Sequence, residues 1–243
     1  MASDPAPEIQ SISIVIPCFN ERDTLALIVE KVLSADTLGL NKEVLIVDDG
    51  SSDDSSTIAR KLREQDDRVR LVELKINIGK GAALSVGFQN VRGDLVLIQD
   101  ADLEYSPADY PTLLQPIIDG RADVVYGSRF HTGATHETPF FGHSAGNKFL
   151  TFLSNRFTGF RLTDMETCYK LFRRSILEGI TIREKRFGVE PEFTAKISKI
   201  RPKVRLEEVG ISYFGRSYRE GKKINWKDGI RAIYCIVRYR LFD

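Results

Sequence analysis

The sequence predicts an α/β protein whose mainly parallel sheet is covered by helices on both faces. Three observations support that class. Short runs of Val, Leu and Ile alternate with helical patterns through the first 130 residues. The runs are apolar throughout, as strands buried on both faces are. The charged clusters Glu21, Asp48/Asp49, Asp100/Asp102 and Arg129 each follow such a run, at the carboxyl ends of strands, where open parallel sheets bind ligands.

The first strand is Ser13-Ile14-Val15-Ile16, stopped by Pro17. Asn20 or Asp23 then stands where a cap is needed for a helix with Leu25, Ile28, Val29 and Val32 on one face. Residues 43–47 read as a second strand running into Asp48-Asp49-Gly50-Ser51-Ser52, and residues 54–65 as a helix with Asp54 at its cap. Strands follow over 69–74, 94–99 and 122–126, with helices over 79–90 and 107–119 between them. Beyond Arg129 the pattern changes. Residues 131–143 read as a loop, 144–157 as a helix, 163–171 as a short polar segment, 203–214 as a late strand, and 230–242 as a short helix with aromatic and basic residues interleaved. No repeat or linker interrupts the chain, so a single domain over 1–243 is expected, with a first half to about residue 130 and a second half beyond it.

Composition narrows the function classes. Apolar residues make up 42% and charged residues 28%, which fits a soluble globular protein. The net charge of +1 gives no global field for nucleic acid. Between Phe214 and Arg240, however, eight Lys/Arg stand against two Asp/Glu, which points to an anionic partner at that end. Cys18, Cys168 and Cys235 have no metal-binding spacing, and their odd number suits a reducing, cytoplasmic setting. No signal peptide is expected from the first residues, and no stretch approaches the roughly 20 apolar residues that span a bilayer. Any membrane contact is expected to be peripheral.

The richest segment is Asp94-Leu95-Val96-Leu97-Ile98-Gln99-Asp100-Ala101-Asp102-Leu103-Glu104. Three carboxylates spaced two apart at a strand's end cannot all stay charged and close unless a cation lies among them. A hard divalent ion, Mg²⁺ or Mn²⁺, suits that oxygen-only set; the plain alternative is an acidic surface turn. Asp48-Asp49-Gly50-Ser51 offers a carboxylate to a nucleobase N–H, or simply caps a helix. Residues 77–83 put glycines and Lys80 at a helix N-terminus, which favours anions, although small residues there also allow close packing. The loop is not a Walker A motif: no Gly stands four residues before Gly79-Lys80, and no Ser or Thr follows the Lys. Arg129, after Gly127-Ser128, either clamps phosphate oxygens or pairs with a neighbouring acid. Asp164 and Glu166 either orient an acceptor or a sugar hydroxyl, or belong to a capped turn. The basic run from Arg216 to Lys223 is placed to fold over a diphosphate. His131, His136 and His143 support neither a zinc site nor a catalytic triad, and only His143 is kept as a phosphate contact.

Taken together these residues resemble glycosyltransferase family 2, the inverting GT-A group. The matching segments are Val15-Ile16-Pro17-Cys18-Phe19-Asn20-Glu21, Val47-Asp48-Asp49-Gly50-Ser51-Ser52-Asp53, Asn77-Ile78-Gly79-Lys80-Gly81, Asp100-Ala101-Asp102 and Gly127-Ser128-Arg129. Asp-Ala-Asp-Leu and the Arg219-Glu220-Gly221-Lys222-Lys223 segment resemble the dolichyl- or polyprenyl-phosphate sugar synthase branch. The chain departs from the mannose synthases of that branch in two places: residues 138–143 contain no arginine, and Asp164-Met165-Glu166-Thr167-Cys168-Tyr169 stands where those enzymes read Asp-Pro-Thr-Ser-Gly-Phe.

The resemblance implies a Rossmann-like GT-A fold, with residues 11–130 binding a GDP- or UDP-linked sugar and 131–243 forming the acceptor side. Pro17, Phe19, Glu21, Val47 and Asp49 would hold base and ribose, with Lys80 close to the same site. Asp100, Ala101 and Asp102 would serve donor and metal, and Glu104 would be a further metal ligand. Arg129 would contact phosphate, and Arg219, Lys222 and Lys223 would close over the diphosphate. Asp100, Asp102, Arg129 and Asp164 are the residues expected to carry the chemistry. The implied reaction moves a hexose, with inversion, to a polyprenyl phosphate. That acceptor is largely dianionic at neutral pH and needs no strong base. Residues 149–160 and 234–242 are then expected at a membrane surface, in a core or at a dimer contact. Three alternatives remain open: transfer to a saccharide hydroxyl with Glu166 or Asp164 as base, a sugar nucleotidyltransferase, and a non-catalytic nucleotide-sugar binder.

Overall fold

Ile12, Ile14, Val15 and Ile16 are wholly shielded from solvent, and so are Val44–Val47 and Leu95–Ile98. These apolar runs are the centre of the sheet in a computed structural model that describes residues 9–131, 141–200, 203–215 and 226–243, with every side chain among them except those of 141–144 and 226. Strands β1 (Ser11–Cys18), β2 (Asn41–Asp48), β3 (Val69–Glu73) and β4 (Leu95–Ile98) pair in parallel in the order β3-β2-β1-β4. Helices α1 (Leu25–Ser34), α2 (Ser55–Gln65) and α3 (Lys80–Asn90) connect them. The predicted face of α1, namely Leu25, Ile28, Val29 and Val32, is the buried one.

The sheet then continues through β6 (Lys170–Arg173), β5 (Val124–Ser128) and β7 (Leu206–Gly210), for a full order of β3-β2-β1-β4-β6-β5-β7. β6 runs antiparallel to both β4 and β5, whereas β5 and β7 are parallel. A 3₁₀ turn over Pro107–Asp109 leads into α4 (Tyr110–Ile118), where one helix over 107–119 was expected. The remaining helices are α5 (Phe141–Thr158), α6 (Arg174–Glu178), α7 (Val189–Lys199) and α8 (Trp226–Leu241). α8 packs on α7 and α5.

Three expectations need correction. β1 runs through Pro17 to Cys18 instead of stopping before it. Val15 O accepts from Gln99 N, and Cys18 O from Asp49 N, so the alternation turns Pro17's missing N–H toward β4, which ends at Ile98. α1 starts after Thr24, so neither Asn20 nor Asp23 caps it: Asn20 takes a left-handed backbone (φ 53°) and its side chain accepts from Ser52 N at 2.8 Å instead. Residues 163–171 are more than a polar segment, because Lys170 and Leu171 begin β6, and α7 was not foreseen.

Candidate active site

The loops that leave β1 and β2 are stitched to each other. Asn20 N donates to Ser51 Oγ at 3.0 Å, and Glu21 N donates to Ser55 Oγ at 2.9 Å. Thr24 Oγ1 donates to Glu21 Oε2 at 3.0 Å, and Pro17 and Phe19 are partly exposed along the same loop. Val47 is wholly buried within β2, so the part it can play toward a ligand is through the backbone.

Asp48 and Asp49 are both 2% exposed, and neither caps a helix. Ser51 Oγ and Ser56 Oγ donate to Asp48. Asp49 receives Ile78 N at 2.9 Å, Gly79 N at 2.7 Å and Asn77 Nδ2 at 2.9 Å. A carboxylate has about four acceptor positions, and three are taken here by the loop after β3. Burial raises the Asp49 pKa above its ordinary value against those hydrogen bonds. Gly50 is forced twice over: its φ is +66°, and a Cβ would lie 2.5 Å from the Ile76 carbonyl carbon. Asp54 occupies the N-cap position of α2 without a side-chain cap bond.

At the start of α3 the structure decides between the two readings of the glycines. A Cβ on Gly81 would lie 2.0 Å from Glu184 O, and Ala82 N donates to Lys185 O at 3.1 Å. The small residues admit the 184–186 segment, which covers this helix end. Lys80 points elsewhere: its ammonium lies 2.8 Å from Asp100 Oδ1 and 3.4 Å from Glu190 Oε1. Burial acts to lower the Lys80 pKa, but Asp100 and then Glu190 more than offset it and hold the ammonium charged, well above its usual range.

Beyond β4 the chain turns through Asp100, Ala101, Asp102 and Leu103. Ala101 is buried, while Asp100 and Asp102 are partly exposed. Leu103 has a left-handed backbone (φ 63°), unusual for a residue with a branched side chain, and Asp102 Oδ1 holds the turn by accepting from Glu104 N at 3.1 Å. Glu104 stands beside this turn and is tied to a residue far along the chain. Its Oε2 receives Tyr213 Oη at 3.0 Å, and among the described residues no three His, Cys, Asp or Glu side chains converge as a metal-holding group. The oxygen-only pair Asp100 and Asp102 still suits Mg²⁺ or Mn²⁺, since such ions are commonly held by one or two carboxylates together with substrate phosphates.

Arg129 follows β5 and is 8% exposed. Its Nε donates to Asp164 Oδ2 at 2.6 Å and its Nη2 to Oδ1 at 2.8 Å, while Arg129 N adds a third bond at 3.1 Å. Asn147 Nδ2 completes the Asp164 shell at 2.8 Å. Burial pushes the Asp164 pKa up, and the Arg129 guanidinium pulls it down further, so the carboxylate stays ionised. Asp164 has no exposed surface and holds the Arg129 guanidinium in place. The Arg129 guanidinium also lies 5.1 Å above the Tyr213 ring. Tyr213 therefore ties the arginine to the acidic turn through Glu104.

Sequence reasoning missed Tyr213, Glu190 and Lys170. Lys170 is wholly buried, donates to Glu190 Oε2 and Thr167 O, and lies 4.8 Å from the Tyr126 ring. Glu190-Pro191-Glu192 at the head of α7, with acids and a proline in a first turn, was the available signal for that helix. Cys168 is buried beside Asp100, which with burial holds its thiol protonated. His131 is exposed, whereas His136, the His143 side chain, Arg216, Arg219, Lys222 and Lys223 lie outside the described residues.

The model of "Glycosyl transferase family 2" matches residues 13–181. An undecaprenyl-phosphate 4-deoxy-4-formamido-L-arabinose transferase of Edwardsiella ictaluri is 30% identical over 88% of this chain and 63% of its own length. A dodecaprenyl-phosphate galacturonate synthase of Rhizobium johnstonii is 28% identical over 90% of this chain and 63% of its own length. The chain thus spans less than two thirds of these relatives. Among solved structures, glucosyl-3-phosphoglycerate synthase of Mycobacterium tuberculosis, in complex with Mn²⁺, UDP and phosphoglyceric acid, superposes with a TM-score of 0.74 over 96% of this chain and 80% of its own, at 18% identity. That likeness is one of fold.

Proposed function

Because the chain belongs to glycosyl transferase family 2, we propose that it is an inverting glycosyltransferase that moves a sugar from a nucleotide sugar to a polyprenyl phosphate. One observation carries the reading beyond the family. Tyr213 links the acidic turn after β4 to the buried Arg129 after β5, so acids and a buried guanidinium lie at one carboxyl edge of the sheet. A diphosphate needs both: a cation that neutralises it and an acid pair that holds its counter-ion.

Asp102, with Asp100, would hold Mg²⁺ or Mn²⁺ on the diphosphate, and the ion would supply charge neutralisation for the leaving group. The loops at Pro17–Glu21 and Asp48–Ser52 would hold the base and ribose. Arg129, fixed by Asp164, offers a preorganised positive charge that costs no rearrangement during reaction. A phosphate monoester acceptor is already mostly ionised, so positioning supplies much of the rate. The named activities of the Edwardsiella and Rhizobium relatives support a polyprenyl phosphate acceptor, and the Mn²⁺ and UDP of the mycobacterial enzyme support a UDP-linked donor.

Among the described residues no helix is long and apolar enough to cross a membrane. Phe149 and Phe152 on α5 and Ile230, Tyr234 and Leu241 on α8 are exposed, with Lys148, Arg156 and Arg238 on the same two helices. That mixture suits a peripheral contact with an anionic bilayer. The test is transfer of radiolabel from UDP- and GDP-sugars to undecaprenyl phosphate. The expected result is solvent-extractable label, lost in Asp102→Ala; label that moves only to free saccharide overturns the lipid acceptor.

A further inference from the structure

The segment between α6 and α7 meets two parts of the molecule through one residue, Glu184. Arg183 N and Glu184 N donate to Glu192 Oε1 and Oε2, each at 2.8 Å, which fixes the segment on the first turn of α7. The Glu184 main chain faces α3. Its carbonyl leaves no room for a Cβ on Gly81, and the next carbonyl, Lys185 O, leaves none on Gly79 and accepts from Ala82 N at 3.1 Å.

The Glu184 side chain faces α8. Arg231 Nη2 donates to Oε1 at 2.6 Å and Arg231 Nε to Oε2 at 2.9 Å, while Tyr239 Oη donates to Oε1 at 2.7 Å. A Cβ on Gly188 would lie 2.7 Å from Glu184 Oε2 and 2.8 Å from Cys235 Sγ, so only glycine lets α7 close on this carboxylate and α8 together. Burial pushes the Glu184 pKa up, but Arg231 and then Tyr239 pull it below its ordinary value, and the carboxylate stays ionised. A guanidinium fork on a carboxylate fixes orientation as well as distance.

The turn of α3 that Glu184 backs is the one that serves the donor edge. Ile78 N and Gly79 N hold Asp49, and the Lys80 ammonium lies 2.8 Å from Asp100. We propose that Glu184 is a positioning residue for the donor site: gripped by Arg231 of α8, it holds the first turn of α3 in place, and with it the loop that aims Asp49. The service to a donor rests on the proposed function; the grip on the turn does not. Spatial contact becomes coupling only if the turn loosens when the grip is released.

The test is amide hydrogen exchange of the full chain, followed by NMR, in the wild type, Arg231→Met and Glu184→Gln. The expected result in both variants is exchange about fivefold faster at Ile78, Gly79 and Ala82, beyond any change at Leu45 and Ile46, whose wholly buried positions in β2 report global opening. Arg231→Lys, which keeps the charge without the fork, should fall between. Exchange at Ile78, Gly79 and Ala82 that rises only in step with Leu45 and Ile46, or not at all, overturns the positioning role. A second readout is affinity for UDP or GDP with Mn²⁺. Each variant should bind several-fold more weakly, and the double variant no more weakly than the worse single one, because both act through one ion pair. Arg121→Met, which removes an exposed pairing with Glu207 ahead of β5, should bind like the wild type. Unchanged affinity in a variant whose turn has loosened, or additive losses, refutes the service to the donor. Should the wild type bind neither nucleotide, the donor reading fails while hydrogen exchange still decides whether Glu184 holds the turn.

Discussion

The two sides of the sheet are held together by different forces. β1, β2 and β4 are apolar cores whose charges sit only at their tips, as at Asp48, Asp49 and Asp100. β6 and α7 carry their charges inside: Lys170, Glu190, Glu192 and Lys196 are all buried, and each is paired. Hydrophobic burial is non-directional and tolerates adjustment, whereas a buried ion depends on one partner. The first side provides a rigid frame, and the second sets the charge of the site.

Substitutions separate the two modes. Asp164→Ala strands the buried Arg129 charge and should cost roughly 3–5 kcal/mol in denaturant unfolding, with any transfer activity lost alongside. Asp164→Asn keeps the shape and should cost less; equal losses would mean that size, and not charge, matters at this position. On the apolar side Leu45→Ala should cost about 2–5 kcal/mol through the cavity it leaves, and Ile46→Val about 0.5–1.5 kcal/mol.

The pH dependence of the melting temperature distinguishes the same two modes by sign. Asp164 is depressed in the folded state, so its contribution is present above about pH 4 and is lost as acid reaches its folded value. Glu166 is raised from 4.5 to about 7, so the folded state binds more protons between those values and stability falls as pH rises through that window. Glu166→Gln should flatten that second slope and leave the acid limb intact. The smallest effect is expected at the exposed face: Phe149→Ser with Phe152→Ser should leave the melting temperature nearly unchanged while weakening binding to anionic vesicles in a sedimentation assay.

The apolar side was readable in sequence because its signal is local. Runs such as Leu95–Ile98, and the α1 face of Leu25, Ile28, Val29 and Val32, declare themselves by period alone. Asp100, Asp102 and Arg129 were singled out because they follow such runs. β6 was missed because Lys170 and Arg173 bound a four-residue strand, and the partner that makes Lys170 tolerable, Glu190, lies twenty positions away. α7 was missed for a related reason: Val189 to Ser198 are all buried although Glu190, Glu192, Thr194, Lys196 and Ser198 are among them, so polarity marks no solvent face. The partnerships of Glu104 with Tyr213 and of Arg129 with Asp164 likewise join residues far apart in the chain. Asp49 was correctly placed at a strand end, but its engagement with residues 77–79 depends on the fold.

The most direct measurement is a thermal-shift panel of UDP- and GDP-sugars on the wild-type chain and Asp102→Ala, with and without Mn²⁺. A bound ligand at 100 times its Kd stabilises by about 2.7 kcal/mol. One nucleotide sugar should raise the wild-type melting temperature, more strongly with Mn²⁺, and should leave Asp102→Ala unmoved. A panel in which no nucleotide sugar shifts the wild type, or in which Asp102→Ala responds equally, would contradict a donor site at the acidic edge.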